Sequence, residues 1–225
     1  MNNIIEQFEK ETGYKLDIRN GKPYYIGDLK LRNTIISSIP NDLTVDGKLF
    51  LDGNSAKLMP ENLTVLDTLL IYRAKIKSLP YNLVVRYGLD LIESTIENIP
   101  NNTIIGGGGW LNLSYTEITE LPDNLTIGGT LYLRNSKITS LPNNLTVGGG
   151  IDLSNSSIKT LPQNLTVHGF LDLAETNIKS LPDNLTVGGY LSLEGTKIED
   201  VPKDSIICGC IYYNNNRVFH PALPI

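Results

Sequence analysis

The 225-residue sequence has only two cysteines and two histidines, and these shortages exclude several kinds of chemistry. Cys208 and Cys210 are too few for a disulfide framework, and they suit a reducing compartment. A single C-x-C pair also falls short of the four ligands, or three plus water, that a metal site needs, so no metal or cofactor is expected. His168 and His220 lie about fifty residues apart, and no motif sets a Ser or Cys beside either, so no catalytic residue is assigned. Basic residues are scattered singly in a chain of net charge −5, which argues against nucleic acid as a partner. No apolar run approaches the ~18 residues of a membrane span, and the N-terminus lacks the charged and apolar regions of a signal peptide.

What is abundant is repetition. Pro40, Pro60, Pro80 and Pro100 are 20 residues apart, as are Pro122, Pro142, Pro162, Pro182 and Pro202. One interval, Pro100 to Pro122, is 22. The shared pattern is x-N-L-T-V-G-G-x-L-x-L-x-x-(T/S)-x-I-x-x-L-P. In L-x-L, for example Leu131-Tyr132-Leu133, alternate residues take opposite faces of a short strand, so the Leu pair faces a core in every coil. Ile138 and Leu141 bring the chain around. A small polar residue sits three residues after the strand at Thr34, Ser94, Thr116, Ser136, Ser156, Thr176 and Thr196, with Asn54 and Asn216 in two coils, and it is placed to satisfy backbone groups left open by the turn. Gly-Gly is expected to supply unusual backbone angles before the strand, and Pro to fix the exit from the coil.

This pattern resembles the leucine-rich repeat family. Leu131 and Leu133 match the second and third Leu of its L-x-x-L-x-L-x-x-N-x-L segment, Ser136 its Asn and Ile138 its last Leu. The 20-residue period with Leu-Pro is similar to the short class found in secreted bacterial effectors, and the Gly-Gly variant to short repeat proteins of bacteria and their phages. The resemblance spans roughly residues 26–221. It implies a β-rich repeat solenoid, a right-handed coil with one parallel β-sheet of about ten short strands, running from Leu29-Lys30-Leu31 to Ile211-Tyr212-Tyr213. This chain departs from the family where Gly128, Gly148 and Gly188 replace its first Leu. The convex side is therefore expected to be mostly extended, without helices. A plain β-solenoid with a second short strand at N-L-T-V stands as the alternative.

Residues 1–27 read as an N-terminal cap. Over residues 3–12, Ile4, Ile5 and Phe8 share one face of a short helix that Gly13 ends. Arg19-Asn20-Gly21-Lys22 between strand-like runs signals a hairpin. Residues 28–202 form the solenoid, including the 22-residue coil at 101–122, and residues 203–225 read as a closing coil, so both ends look finished. The effector ubiquitin ligases of this repeat class carry a large catalytic domain after the repeats, to which nothing here corresponds.

The longer coil contains GGGGW, Gly106 to Trp110. It is no phosphate loop, because Gly-Lys-Ser/Thr does not follow and Leu111 stands where G-x-G-x-x-G needs its third Gly. Two residues have been inserted into the usual Gly-Gly turn, directly before the only Trp in the chain. Asn-x-Thr/Ser occurs eight times, five of them in the Asn-Leu-Thr column of the repeat, where turn chemistry is the expected role rather than glycosylation.

Positions alternating with the core Leu residues face the concave sheet surface. They carry Tyr72, Trp110, Tyr132, Phe170 and Tyr190, which a solvated face does not need for stability, together with Asn112 and Arg134. Asp152, Asp172, Glu175 and Glu194 add an acidic cluster. The competing role for the aromatics is cross-strand pairing. The expected function is a non-enzymatic binding scaffold whose concave face takes a protein partner with a basic patch, in the cytoplasm of a bacterium or phage-infected cell, with an effector or anti-defence role or non-classical export as variants. The alternative is a sponge or binder for a nucleotide or carbohydrate, with an oligomer as one form of it.

Overall fold

The computed structural model describes residues 2–213 and 216–219, with side chains over 3–213; His220 lies outside them. The chain is a parallel β-solenoid. Its main sheet has eleven strands, ten of them parallel and stacked in chain order. We number the coils 1 to 10 by these strands: Leu29–Lys30, Leu49–Leu51, Thr68–Ile71, Gly88–Asp90, Trp110–Asn112, Leu131–Tyr132, Ile151–Asp152, Leu171–Asp172, Leu191–Ser192 and Cys210–Tyr213. Like pairs with like, as in Leu131↔Ile151 and Leu171↔Leu191, so each core column stacks on itself. Leu111, Leu131, Ile151, Leu171 and the paired Leu two residues on are buried, as are Ile118, Ile138, Ile158 and Ile178. One core runs the length of the stack, and no coil owns enough of it to fold alone.

The N-L-T-V segments also form strands, as in the plain-solenoid alternative. They make three separate sheets on the other side of each coil. The first joins Asp17–Arg19, Lys22–Ile26, Thr44–Asp46, Thr64–Val65, Val84–Val85 and Ile104–Ile105; the second Thr126–Ile127 and Thr146–Val147; the third Thr166–Val167, Thr186–Val187 and Ile206–Ile207. The interruptions coincide with a change of turn. After most Pro residues the second turn residue has positive φ, as in Asn82 (56°), Asn124 (60°) and Asn164 (58°). Asn102, Asn144 and Asp204 do not, and there the turn closes through Thr103 N–H to Pro100 O (3.0 Å), Leu145 N–H to Pro142 O (3.2 Å) and Ser205 N–H to Pro202 O (3.0 Å); the first two precede the interruptions. A ladder of side-chain amides runs up the same column: Asn82 donates to Asn62 (2.7 Å), Asn102 to Asn82 (2.6 Å), Asn144 to Asn124 (3.2 Å) and Asn184 to Asn164 (3.1 Å). It breaks after Asn102 and after Asn144, the same two places. This ladder is the turn chemistry expected of the Asn-Leu-Thr column.

Three expectations need correction. The Gly-Gly pairs of coils 6, 7 and 9, and Gly169 and Gly209 of coils 8 and 10, have no positive φ. Glycine is needed there because coils touch backbone to backbone. Gly149 N–H donates to Gly129 O at 2.9 Å, and a Cβ on Gly149 would sit 2.7 Å from Gly129 C. In coil 2, Asn54 is exposed and a 3-10 turn over Ser55–Leu58 buries Ser55 in its place. Asn216–Phe219 pairs antiparallel with Cys210–Tyr213, covering an edge that a parallel strand would leave open, so Asn216 lies in a strand and not in the turn column.

Of the remaining small polar column, Ser94, Thr116, Ser136, Ser156, Thr176 and Thr196 are buried and Thr34 is half-buried. The Ser94, Ser136 and Ser156 hydroxyls have no hydrogen-bond partner, so in those coils the group does not satisfy the backbone as expected. Thr116, Thr176 and Thr196 donate from Oγ1 to the carbonyl three residues back at 2.6 to 2.8 Å. The N-terminal cap forms a helix, Asn2–Thr12, and a hairpin whose Asn20 and Gly21 both have positive φ. Phe8 is fully buried against coil 1, and Glu11 accepts from Ser37 N–H at 2.9 Å, tying the helix to the first coil. Ile4 is exposed.

Candidate functional site

The outward positions of the main sheet form three columns, and the structure places most of the predicted site residues in them. Trp110, Phe170 and Tyr190 precede the first core Leu; Asn112, Tyr132, Asp152 and Asp172 lie between the Leu pair; Tyr72, Arg134 and Glu194 follow it. Glu175 does not share these columns. It occupies the turn after the strand with φ 57°, beside Gly195, so it sits at the edge of the face. The same turn column holds Asn33, Asn135 and Asn155, residues that tolerate positive φ, and also Tyr115, which does not.

The aromatic side chains lie along the sheet rather than standing out from it. Trp110 covers Gly88 and Phe170 covers Gly150, so that a Cβ on either glycine would strike the ring. The rings replace side-chain packing that the glycines lack. The Gly106–Gly109 turn, closed by Gly109 N–H to Gly106 O at 2.8 Å, absorbs the two inserted residues, and Trp110 pairs in register with Gly88. Phe170 and Tyr190 stack with centroids 5.0 Å apart and planes at 7°, and Tyr212 meets Tyr190 edge-on at 5.6 Å. Such pairs contribute about 0.5–1.5 kcal/mol each beyond area burial. Cross-strand pairing is thus real here. Tyr190 nonetheless remains 36% exposed.

The acidic column has a structural part as well. Asn112, Asp152 and Asp172 each accept the N–H two residues on, from Ser114 (3.0 Å), Ser154 (2.9 Å) and Ala174 (2.9 Å). Asp90 does the same for Ile92 at 3.2 Å. These side chains satisfy backbone donors that the turn leaves open. Burial holds the Asp172 carboxyl above its usual range, and the charge of Asp152 adds to this, against the Ala174 N–H, Ser192 and Arg134, which favour the carboxylate. The Tyr190 phenol is also raised, by burial first and then by Asp172 and Asp152. Coils 7 to 9 therefore present a shelf of stacked rings beside an electronegative strip.

A second cluster in coils 1 to 5 joins the expected Tyr72 and Asn112 to Arg32, Phe50 and Asp90, which were not among the expected site residues. The Arg32 guanidinium lies 4.4 Å from the Tyr72 ring centroid and 5.3 Å from that of Phe50. Asp90 is buried beside it, its carboxyl raised by desolvation and lowered in part by Tyr72, Asn112 and Arg32. The signal was present in the columns, since Arg32 and Tyr72 occupy equivalent positions two coils apart.

No protein-family model and no curated protein matches the sequence. Among the described residues no group of three or more His, Cys, Asp or Glu side chains is placed to hold a metal ion. Cys208 is exposed and Cys210 buried. His168 is exposed and its Nδ1 lies 3.3 Å from Val147 O. No helix among the described residues is long and apolar enough to cross a membrane. A groove of about 440 Å³ lies off the main sheet, along the Pro edge, between Tyr81, Pro100, Asn102 and Pro122.

Proposed function

We propose that this protein is a non-enzymatic binding scaffold of the leucine-rich-repeat-like kind, whose main sheet face engages a protein partner. The observation that supports this most is the half-exposed shelf of Phe170, Tyr190 and Tyr212 beside Asp152 and Asp172. Stability alone does not require raising the carboxyl of Asp172 and leaving a stacked tyrosine facing solvent. Aromatic anchors next to charge are the usual composition of binding hot spots. An extended face suits a macromolecule better than a small ligand, which needs a concave site burying most of its surface. The acidic strip favours a partner with a basic patch and an association that weakens with salt. The resemblance to short repeat proteins of bacteria and phages makes an effector or anti-defence setting in the cytoplasm the natural context. The test is affinity capture of the partner with wild-type protein, with Tyr132→Ala/Tyr190→Ala, and with Asn184→Ala on the amide ladder. Capture is expected to fail for the face variant and persist for the ladder variant; equal capture by both overturns the assignment.

A further inference from the structure

The second side of the solenoid is interrupted twice, between coils 5 and 6 and between coils 7 and 8. The two interruptions differ in what they expose. At the first, Thr103 and Leu125 are buried and the Asn102 Oδ1 lies out of reach of solvent. At the second, Asn144, Thr146, Asn164 and Thr166 are exposed. Leu145 is only half-buried there, whereas every other Leu of its column, from Leu43 to Leu185, is buried. A cleft of about 230 Å³ opens at this point, lined by Leu145, Thr146, Pro162, Asn164, Thr166 and His168 among others.

The walls of the cleft carry groups that joined coils use on each other. Between coils 6 and 7, Thr146 N–H donates to Leu125 O (3.0 Å) and Asn144 Nδ2 to Asn124 Oδ1 (3.2 Å). Between coils 8 and 9, Thr186 N–H donates to Leu165 O (2.9 Å) and Asn184 Nδ2 to Asn164 Oδ1 (3.1 Å). Between coils 7 and 8 neither bond forms among the described residues. Thr166 N–H and Asn164 Nδ2 therefore lack an acceptor on one wall, and Leu145 O and Asn144 Oδ1 lack a donor on the other. One bond of the junction is replaced: His168 Nδ1 lies 3.3 Å from Val147 O, a carbonyl whose counterparts accept Gly148 N–H and Gly188 N–H at the joined junctions. No Asp, Glu, Lys or Arg lines the cleft.

We infer that this cleft binds a primary carboxamide on a short aliphatic stem, the group that ends an Asn or Gln side chain. The two walls lack one donor and one acceptor, and a carboxamide carries both on a single planar, uncharged group. Its oxygen accepts from Thr166 N–H or Asn164 Nδ2, and its NH2 donates to Leu145 O or Asn144 Oδ1. The stem lies on the exposed part of Leu145. A carboxylate or an ammonium fits less well, because each offers only one of the two roles and would be desolvated with no counter-charge. The volume is below the roughly 300–1,000 Å³ of drug-sized sites, so the cleft takes one such group and not a large ligand. It lies on the other side of the coils from the aromatic shelf and does not depend on the reading of that face.

The probe is propionamide, titrated into isotope-labelled protein while backbone and side-chain amide shifts are followed by NMR. Saturable shifts are expected at Thr166, His168 and the Asn164 side chain, and none at Thr64 or the Asn62 side chain, with a Kd on the order of millimolar for so small a probe. Propionate and propanol, which match the stem but not the edge, should give no saturable shift. Asn164→Gly keeps the positive φ and removes the Nδ2 donor, and should weaken binding by roughly two- to tenfold, the net of one hydrogen bond. Asn62→Gly, the same change in coil 3, should leave it unchanged. Blocked Ala-Gln-Ala and Ala-Met-Ala tripeptides identify the source. Shifts from the Gln peptide as well as from propionamide assign the group to a partner's side chain, and shifts from propionamide alone assign it to a free small amide. The inference is overturned by no saturable shift at Thr166 at the highest soluble propionamide, by equal shifts from propionate, propanol or the Met peptide, or by an Asn164→Gly protein that binds as tightly as wild type.

Discussion

Thr103 stands where seven other coils carry Leu: Leu43, Leu63, Leu83, Leu125, Leu145, Leu165 and Leu185. It is 8% exposed, and its hydroxyl oxygen is buried without a hydrogen-bond partner. Thr103→Val removes the hydroxyl and keeps the shape, which relieves a desolvation penalty of about 1–3 kcal/mol. Thr103→Leu removes it too and adds about one buried carbon, worth ~0.8 kcal/mol more. The repeat makes the space Leu-shaped on both neighbouring coils, so overpacking, which otherwise costs about 1–3 kcal/mol, is not expected. The order of stability should be Leu above Val above wild type. For a chain of this length each kcal/mol raises Tm by about 2–4 °C. Urea unfolding followed by far-UV circular dichroism reads the same order in the midpoints, with the slope unchanged. A Thr103→Val midpoint below wild type would refute the reasoning, because it would mean that the hydroxyl is satisfied and holds coil 5 in place.

Three further outcomes follow from particular residues. Tyr115 has φ 57° at a turn position where coils 1, 6 and 7 use Asn, so Tyr115→Asn should stabilise by about 0.5–1 kcal/mol in the same assay; a loss would show that its ring packs usefully. Asp172 has a raised carboxyl pKa in the fold, so the native state holds its proton more tightly and stability falls as pH rises from the ordinary carboxylate range through the raised value. Asp172→Asn keeps an oxygen for the Ala174 N–H, as Asn112 does for Ser114, and its advantage over wild type should be present at neutral pH and vanish in acid; a constant difference across pH rules out the titration. Deleting Gly107 and Gly108, both exposed in a turn that leaves the main-sheet register intact, should give a folded protein with an unchanged circular dichroism spectrum; failure to fold would mean that the long turn is structural.

The architecture was legible because a solenoid writes each structural demand once per coil. Strand positions, the Leu and Ile core and the buried Thr or Ser column all follow from a 20-residue period. The cap hairpin was legible from Asn20-Gly21 alone. Side-chain direction was not. Trp110 lies down on Gly88 because a glycine one coil of sequence away leaves room, and no local pattern around GGGGW states this. Glu175 reads as one more acid of a cluster until its φ places it in the turn. The double duty of Asp152 and Asp172, as caps for backbone amides and as surface charge, needed the geometry of the turn two residues on.

The two seams of the second side do have a mark in the sequence. Both follow Pro-Asn-Asn: Pro100-Asn101-Asn102 and Pro142-Asn143-Asn144. The turns that keep positive φ read Pro-Glu-Asn, Pro-Tyr-Asn, Pro-Asp-Asn and Pro-Gln-Asn, or Pro-Asn-Asp at Pro40-Asn41-Asp42; the last turn, Pro202-Lys203-Asp204, lacks it with a different sequence. At unbroken junctions the residue after the core Leu donates to the coil below: Thr146 N–H to Leu125 O at 3.0 Å, Thr186 N–H to Leu165 O at 2.9 Å. Among the described residues Thr166 makes no such bond to coil 7. Asn143→Asp creates the Pro-Asp-Asn of the joined coils, so it should move Asn144 to positive φ and restore both the amide ladder and the Thr166 bond. One backbone hydrogen bond nets about 0.5–1.5 kcal/mol, so Thr166 amide exchange should slow by up to about tenfold, toward the rates of Thr146 and Thr186. Exchange at Thr166 that already matches Thr146 in wild type would show that no seam exists. An unchanged rate in the variant would show that the turn is set by the coils around it and not by its own residues.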